Sequence, residues 1–178
     1  MPRSLALQFL QIALLLKIIY NLNVNKTIEK ARSYVLWLLT IRQRSKKEIS
    51  DKLKRKDYGE EIIKNIIREL EKSGLIDDRK FSLSWVKSRL ETKPAGKNLL
   101  KRELLSKGID RNLADEIIGE VFSVENEEEI AYNLANKRWK QYSKLDKIVG
   151  ARRLYSFLAR RGFGFEIAEK ITRRIINE

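Results

Sequence analysis

One pattern recurs three times along this chain, and it limits the fold more than composition does. Shifting the sequence by 51 and then by 54 residues aligns Tyr34 with Trp85 and Trp139. In the same register Ile49, Leu100 and Leu154 align, followed by Leu53, Leu104 and Leu158. Lys56, Lys107 and Arg161 share the next column, then Asp57, Gly108 and Gly162, then Tyr58, Ile109 and Phe163. Further columns hold Ile62, Leu113 and Ile167; Ile66, Ile117 and Ile171; and Leu70, Val121 and Ile175. Any two amphipathic helices can match at i, i+4, so the turn column is the stronger sign of a true repeat.

That column has a backbone explanation. A short amphipathic helix carrying Ile49 and Leu53, or their equivalents, stops at the basic residue, and a left-handed residue follows. Gly fills that place twice, and Asp57, which tolerates left-handed geometry, fills it once. The next side chain is apolar or aromatic and packs back over the helix end. A third helix then carries the stripe of Ile62, Ile66 and Leu70.

The expected fold is all-α: an elongated tandem array of three three-helix repeats with an extra apolar N-terminal helix. Its parts are a leader at 1–26, then repeats at 27–76, 77–122 and 123–178. Scarce Gly and Pro, 8 and 2 in 178 residues, suit helices better than a turn-rich β fold. Ser45 with Glu48 three residues on reads as a capping box. Asp77 or Asp78 can cap the first helix of the second repeat, and Asp110 and Ser123 are lesser cap candidates. Glu127, Glu128 and Glu129 suit the positive end of a helix. Each unit is small, so neighbours are expected to stack to bury their apolar faces.

The leader holds a 16-residue apolar run, Leu5 to Tyr20, interrupted by Gln8, Gln11 and Lys17. It falls short of the roughly 20 clean apolar residues of a membrane span and has no small-residue cleavage site. It reads as a helix packing on the body or on a copy of itself; a membrane-surface or targeting role is the alternative. Asn21 to Lys26 reads as a loop before the next helix.

Charge points to a partner. Lys and Arg number 38 against 24 Asp and Glu, a net +14 with no His and no Cys. Imidazole bases, thiolate nucleophiles, the usual N/S zinc sites and disulfides are excluded. The surplus is spread at +3, +3, +4 and +4 over residues 1–30, 31–78, 79–122 and 123–178. A basic surface along the whole array therefore fits better than one compact patch, and a polyanion is the expected partner. Candidates in the second repeat are Lys87, Arg89, Lys93, Lys97, Lys101 and Arg102. In the third they are Arg138, Lys140, Lys144, Arg152, Arg153, Arg160, Arg161, Arg173 and Arg174. Acidic residues gather elsewhere, at Glu60-Glu61 and Glu125 to Glu129. The repeating Tyr34, Trp85 and Trp139 read as core, whereas Tyr142 and Phe165 are more open as base-stacking platforms. The eight glycines form no phosphate-cradling loop, and Asp77-Asp78 reads better as a helix start than as a Mg²⁺ site. No catalytic or metal-binding residue is assigned, no cofactor is expected, and the chain reads as a non-enzyme.

The stretch Gly74-Leu75-Ile76-Asp77-Asp78, then Phe81, Trp85, Val86, Ser88-Arg89-Leu90 and Pro94-x-Gly96-Lys97, resembles the RecX family of bacterial recombination regulators. The likeness continues through Leu104, Lys107-Gly108-Ile109, Leu113, Ala114 and Ile117. It closes on Leu154-Tyr155-x-Phe157-Leu158-x-Arg160-Arg161-Gly162-Phe163 and Ile167, and covers about residues 27–178. It implies a cytoplasmic, non-enzymatic protein that binds the RecA recombinase. Such a protein sits in the groove of the RecA–single-stranded DNA filament and restrains ATP hydrolysis and strand exchange. It also implies contact with single-stranded and duplex DNA through phosphates, and no small-molecule substrate or membrane; a monomer is expected. Asp57 departs from the glycine common in that turn, and the leader lies outside the likeness. The family motif fixes turns and core, not contact residues.

The main rival is a helix-turn-helix DNA-binding transcription regulator, built on Ser45-x-x-Glu48-Ile49-x-x-x-Leu53 and the apolar helix after Tyr58. Against it, no alternating β pair follows, and the same unit recurs twice more.

Overall fold

The computed structural model of the chain describes residues 2–124, 126–142 and 144–177; the side chains of 2–13, 19–21 and 124 lie outside that description. Among the described residues helices are joined by short turns, and there is no strand. In chain order they are α1 (Pro2–Ile41), α2 (Lys46–Lys54), α3 (Glu60–Lys72), α4 (Asp78–Thr92), α5 (Lys97–Ser106) and α6 (Arg111–Val124). Then come α7 (Glu127–Trp139), a 3-10 turn (Lys140–Tyr142), α8 (Lys147–Arg160) and α9 (Phe165–Asn177). They form two compact units, Met1–Ile76 and Asp77–Glu178.

The expected turn column takes the expected geometry. Asp57, Gly108 and Gly162 have φ of 59°, 80° and 86°. In each repeat the next residue's N–H returns to the carbonyl five positions back: Tyr58 to Leu53 at 3.3 Å, Ile109 to Leu104 at 3.1 Å, Phe163 to Leu158 at 3.2 Å. This is the Schellman arrangement, and it turns orphan helix-end carbonyls back into bonded ones. Ile109 and Phe163 are buried over the helix ends. Gly74, at φ 71°, closes α3 in the same way, with Leu75 N–H bonded to Leu70 O at 3.0 Å.

Each repeat encloses its own core. In the first, Ala31, Val35, Ile49, Leu53, Ile63, Ile66, Leu70 and Ile76 form one buried cluster. Leu100, Leu104, Ala114, Ile117 and Val121 centre the second, and Leu154, Leu158, Ala168, Ile171 and Ile175 the third. Three helices enclose each cluster. One detail of the stripe also shifts. Ile63, Ala114 and Ala168 are the deep side chains, whereas Ile62, Leu113 and Ile167 lie half-buried at the margin. The aligned aromatics Tyr34, Trp85 and Trp139 are half-buried against their cores. Lys56 lies 4.8 Å over the Tyr34 ring and Lys107 3.7 Å over Trp85, so the basic column covers the aromatic column in two repeats.

Helix α1 differs from expectation. No loop interrupts 21–26; the helix is continuous for 40 residues. The segment has no Gly or Pro, each Asn costs at most about 0.7 kcal/mol relative to Ala, and a break would require a second costly nucleation. Thr27 Oγ donates to Asn23 O at 2.9 Å, which satisfies the hydroxyl inside the helix. Leu14, Leu15, Leu16, Ile18 and Leu22 are 47–62% exposed, so at these positions the leader does not pack on the body. Among the described residues no helix is long and apolar enough to cross a membrane.

Most caps follow the sequence. Ser45 Oγ accepts from Glu48 N–H at 3.2 Å, and Asp77 accepts from Arg79 and Lys80 N–H at 2.9 and 3.0 Å. Asp110 accepts from Asn112 N–H at 2.8 Å. Ser123 caps nothing: it lies within α6 and its hydroxyl donates to Glu120 O. Asn126 caps α7 and Asp146 caps α8.

Helices α3 and α5 start instead at Gly59 and Gly96, with no side-chain cap, and α5 finds its partners in another repeat. Its free donors are met by the third repeat. Gly96 N–H bonds Arg161 O at 2.9 Å, Asn98 N–H bonds Gly162 O at 3.2 Å, and Lys97 N–H bonds the Glu127 carboxylate at 2.9 Å. The last carbonyls of α8 thereby cap the first turn of α5. The approach leaves no room for side chains: a Cβ on Gly96 would lie 2.6 Å from the Gly162 carbonyl, and one on Gly162 would lie 2.3 Å from Leu99 N. The Arg161 guanidinium also donates to Pro94 O.

Two stability predictions follow from this joint. Gly74→Ala and Gly162→Ala both place Ala at positive φ, but only Gly162 abuts another backbone. Gly74→Ala should cost about 1–2 kcal/mol from left-handed strain, and Gly162→Ala about 2–5 kcal/mol once steric overlap is added; urea unfolding of the two variants measures the difference. Near the joint, Arg89 Nε and Nη2 donate to Glu103 at 2.8 and 2.7 Å, with side chains 16% and 23% exposed. Hydrogen bonding from Arg89 holds the Glu103 carboxyl below its ordinary range. A depressed carboxyl stabilises the fold above its unfolded pKa, and that contribution is lost as pH falls through the folded value. Glu103→Gln should therefore lower stability at neutral pH by about 1.5–3 kcal/mol and flatten the acid limb of the stability–pH curve.

Candidate nucleic-acid and protein interface

The basic residues singled out in the sequence separate into two groups once their neighbours are seen. One group is engaged by other groups of the chain, some of it buried and some on the surface. Arg89 holds Glu103 and, through Nη1, donates to Lys93 O at 3.1 Å. Arg161 is half-buried; burial, and then the neighbouring charge of Arg89, lowers its pKa, and its Nε finds no partner among the described residues. Arg138 donates to the Tyr142 hydroxyl at 3.0 Å and to Gln141 at 2.5 Å, and its guanidinium lies 5.1 Å from the Phe157 ring centre. Lys97 pairs with Glu127 at 3.4 Å and Lys101 with Asp115. Arg173 pairs with Glu169 at 2.7 Å, and Arg174 lies 4.0 Å over the Tyr132 ring.

The second group faces solvent: Lys87, Lys93, Arg102, Lys140, Lys144, Arg152, Arg153 and Arg160 are exposed. Helix α8 gathers three of them. Arg153 and Arg160 are seven positions apart and so stand two turns apart on one face, with Arg152 beside them. None of the three has an ion pair among the described residues. Glu127 and Glu128 pair with Lys97 and Lys170. Glu125 lies outside the described residues.

Of the two aromatic candidates, Tyr142 is corrected: at 9% exposure it is core, anchored by Arg138. Phe165 is 67% exposed at the start of α9 and touches Tyr155 edge-on at 6.3 Å between ring centres.

Two concavities lie in the unit Asp77–Glu178. A groove of about 730 Å³ is walled by Leu83, Leu90, Ile130 and Leu134, with Lys87 and Lys137 on its lining. A cleft of about 440 Å³ is lined by Asn98, Lys101, Arg102 and Arg111 from the second repeat and by Ala159, Gly162 and Phe163 from the third. Sequence reasoning passed over Asn98 and Arg111. Arg111 sits beside a helix start, and only the joint between Gly96 and Gly162 brings it to a wall shared with the third repeat. No group of three or more acidic, His or Cys side chains able to hold a metal occurs among the described residues. Asp77 serves as a cap, and its carboxyl is held below its ordinary pKa chiefly by the Lys80 N–H.

Comparison with known proteins accounts for this architecture. Residues 31–70, 77–118 and 125–172 match the first, second and third three-helix domains of RecX. The regulatory protein RecX of Amycolatopsis mediterranei is 34% identical over 84% of this chain and 85% of its own length. That of Chlorobium phaeobacteroides is 38% identical over 76% and 86%. The crystal structure of RecX from Lactobacillus salivarius superposes with a TM-score of 0.74 at 28% identity, covering 85% of this chain and 97% of that one. Pro94-x-Gly96 and Arg161-Gly162, whose place in the sequence suggested the likeness, are the two sides of one joint. The chain belongs to the RecX family of regulatory proteins.

Proposed function

We propose that this chain regulates homologous recombination by binding the RecA recombinase and its filament on single-stranded DNA, restraining ATP hydrolysis and strand exchange without catalysis of its own. Family membership supports the partner, and the unpaired basic face of α8 is the observation that carries the contact surface. Arg152, Arg153 and Arg160 present positive charge that nothing in the fold neutralises, as binding to phosphates or to an acidic protein surface requires. Lys87, Lys140 and Lys144 extend the same character over the second and third repeats. Contacts shared among several repeats add through effective concentration, so modest individual contacts suffice. Such a regulator acts in the cytoplasm and as a monomer. Arg161, Arg89 and Arg138 do not belong to the contact surface on this reading, because they hold the fold.

The test is RecA ATPase on single-stranded DNA. The wild-type chain should inhibit at substoichiometric ratios. Arg152→Glu/Arg153→Glu/Arg160→Glu should raise the half-inhibiting concentration at least tenfold with helicity unchanged by circular dichroism. Inhibition by the triple variant equal to wild type overturns the assignment of α8. Absence of inhibition by the wild-type chain overturns the function itself.

A further inference from the structure

The cleft between the second and third repeats has the chemistry of an anion site. Its polar lining is Asn98, Lys101, Arg102 and Arg111, and no carboxylate lines it. Lys101 is bonded to Asp115, so its charge is partly answered from outside the cleft. Arg102 is exposed, and its Nε donates to Asn98 O at 3.3 Å, which leaves its terminal nitrogens available. Arg111, the first residue of α6, is exposed and has no ion pair among the described residues. Asp110 beside it is already occupied in capping α6 through Asn112 N–H.

We propose that this cleft seats a phosphate group between Arg102 and Arg111, with the phosphodiester of a nucleic acid strand as its ligand. Guanidinium forks match phosphate oxygens bidentately, and Leu105, Ala159 and Phe163 form the apolar walls beside them. The cleft is preformed, because the bonds from Gly96 to Arg161 and from Asn98 to Gly162 fix its two sides before any ligand arrives. A free nucleotide carries the same phosphate chemistry and is the competing source. This inference deepens the nucleic-acid part of the preceding proposal, and its test uses no recombinase, so the two fail separately.

The experiment measures binding of labelled oligothymidylate to the full chain by fluorescence anisotropy between about 50 and 200 mM salt. Arg102→Gln/Arg111→Gln should weaken binding about tenfold. It should also reduce the slope of log affinity against log salt by about 0.7, the value for one phosphate contact on a single strand. Arg102→Lys/Arg111→Lys, which keeps the charge, should recover most of the slope. Arg68→Gln/Lys72→Gln in α3 removes the same net charge and should change affinity less than about twofold. Equal losses in the α3 pair and the cleft pair, or no loss in the cleft pair, overturn the site. Adenosine triphosphate that displaces the oligonucleotide from wild type, and binds the cleft pair more weakly, overturns the strand as ligand; failure to displace it supports the strand.

Discussion

The second unit depends on one interaction: the end of α8 caps the beginning of α5. A helix start leaves donors without acceptors, and a helix end leaves acceptors without donors. Most helices here solve the two problems locally, with Ser45, Asp77, Asn126 and Asp146 at starts and left-handed turns at ends. Helix α5 solves its own by borrowing from another repeat. Arg161 and Gly162 supply carbonyls, and Glu127 supplies a carboxylate. Carbonyls just past the end of α8 thus meet N–H groups at the start of α5. Two glycines are required because the backbones meet at distances a methyl group would occupy. The second and third repeats thus keep separate apolar cores and are joined here by polar backbone.

This joint also explains why a basic surplus of +14 does not translate into a uniformly sticky surface. Arg161 is drawn inward to Pro94, and Arg89 braces the same region through Glu103. The third repeat departs here from the other two. Where Lys56 and Lys107 lie over aromatic rings, the equivalent Arg161 reaches into the neighbouring repeat. Lys87, Lys93, Arg102, Lys140, Lys144, Arg152, Arg153 and Arg160 remain exposed, three of them on α8.

The repeat, its helices and the left-handed turns were legible in the sequence, because each rests on local physics: apolar spacing, caps and the rarity of positive φ. Asp57 at φ 59° is the clearest instance, since its alignment with Gly108 and Gly162 predicted the conformation and Asp tolerates it. Pairing across repeats was not legible. Gly162 reads as an ordinary helix-ending turn and Gly96 only as part of a family motif, and nothing nearby says that one requires the other. For the same reason the sequence does not say that Arg161 turns inward to Pro94 or that Arg111 comes to line the cleft. The loop at 21–26 was misjudged for a different reason: three asparagines suggested a turn, but without Gly or Pro the summed helix penalty is too small to end α1.

The borrowed cap has a consequence in time. Gly96 and Gly162 are 66 positions apart in the chain. At roughly 5–20 residues per second of synthesis, the first turn of α5 waits about 3–13 s before its acceptors exist. The second repeat therefore leaves the ribosome with its central helix frayed at one end, held by its apolar core alone. Its last backbone bonds close only after Gly162 has been made, which ties completion of the second repeat to arrival of the third.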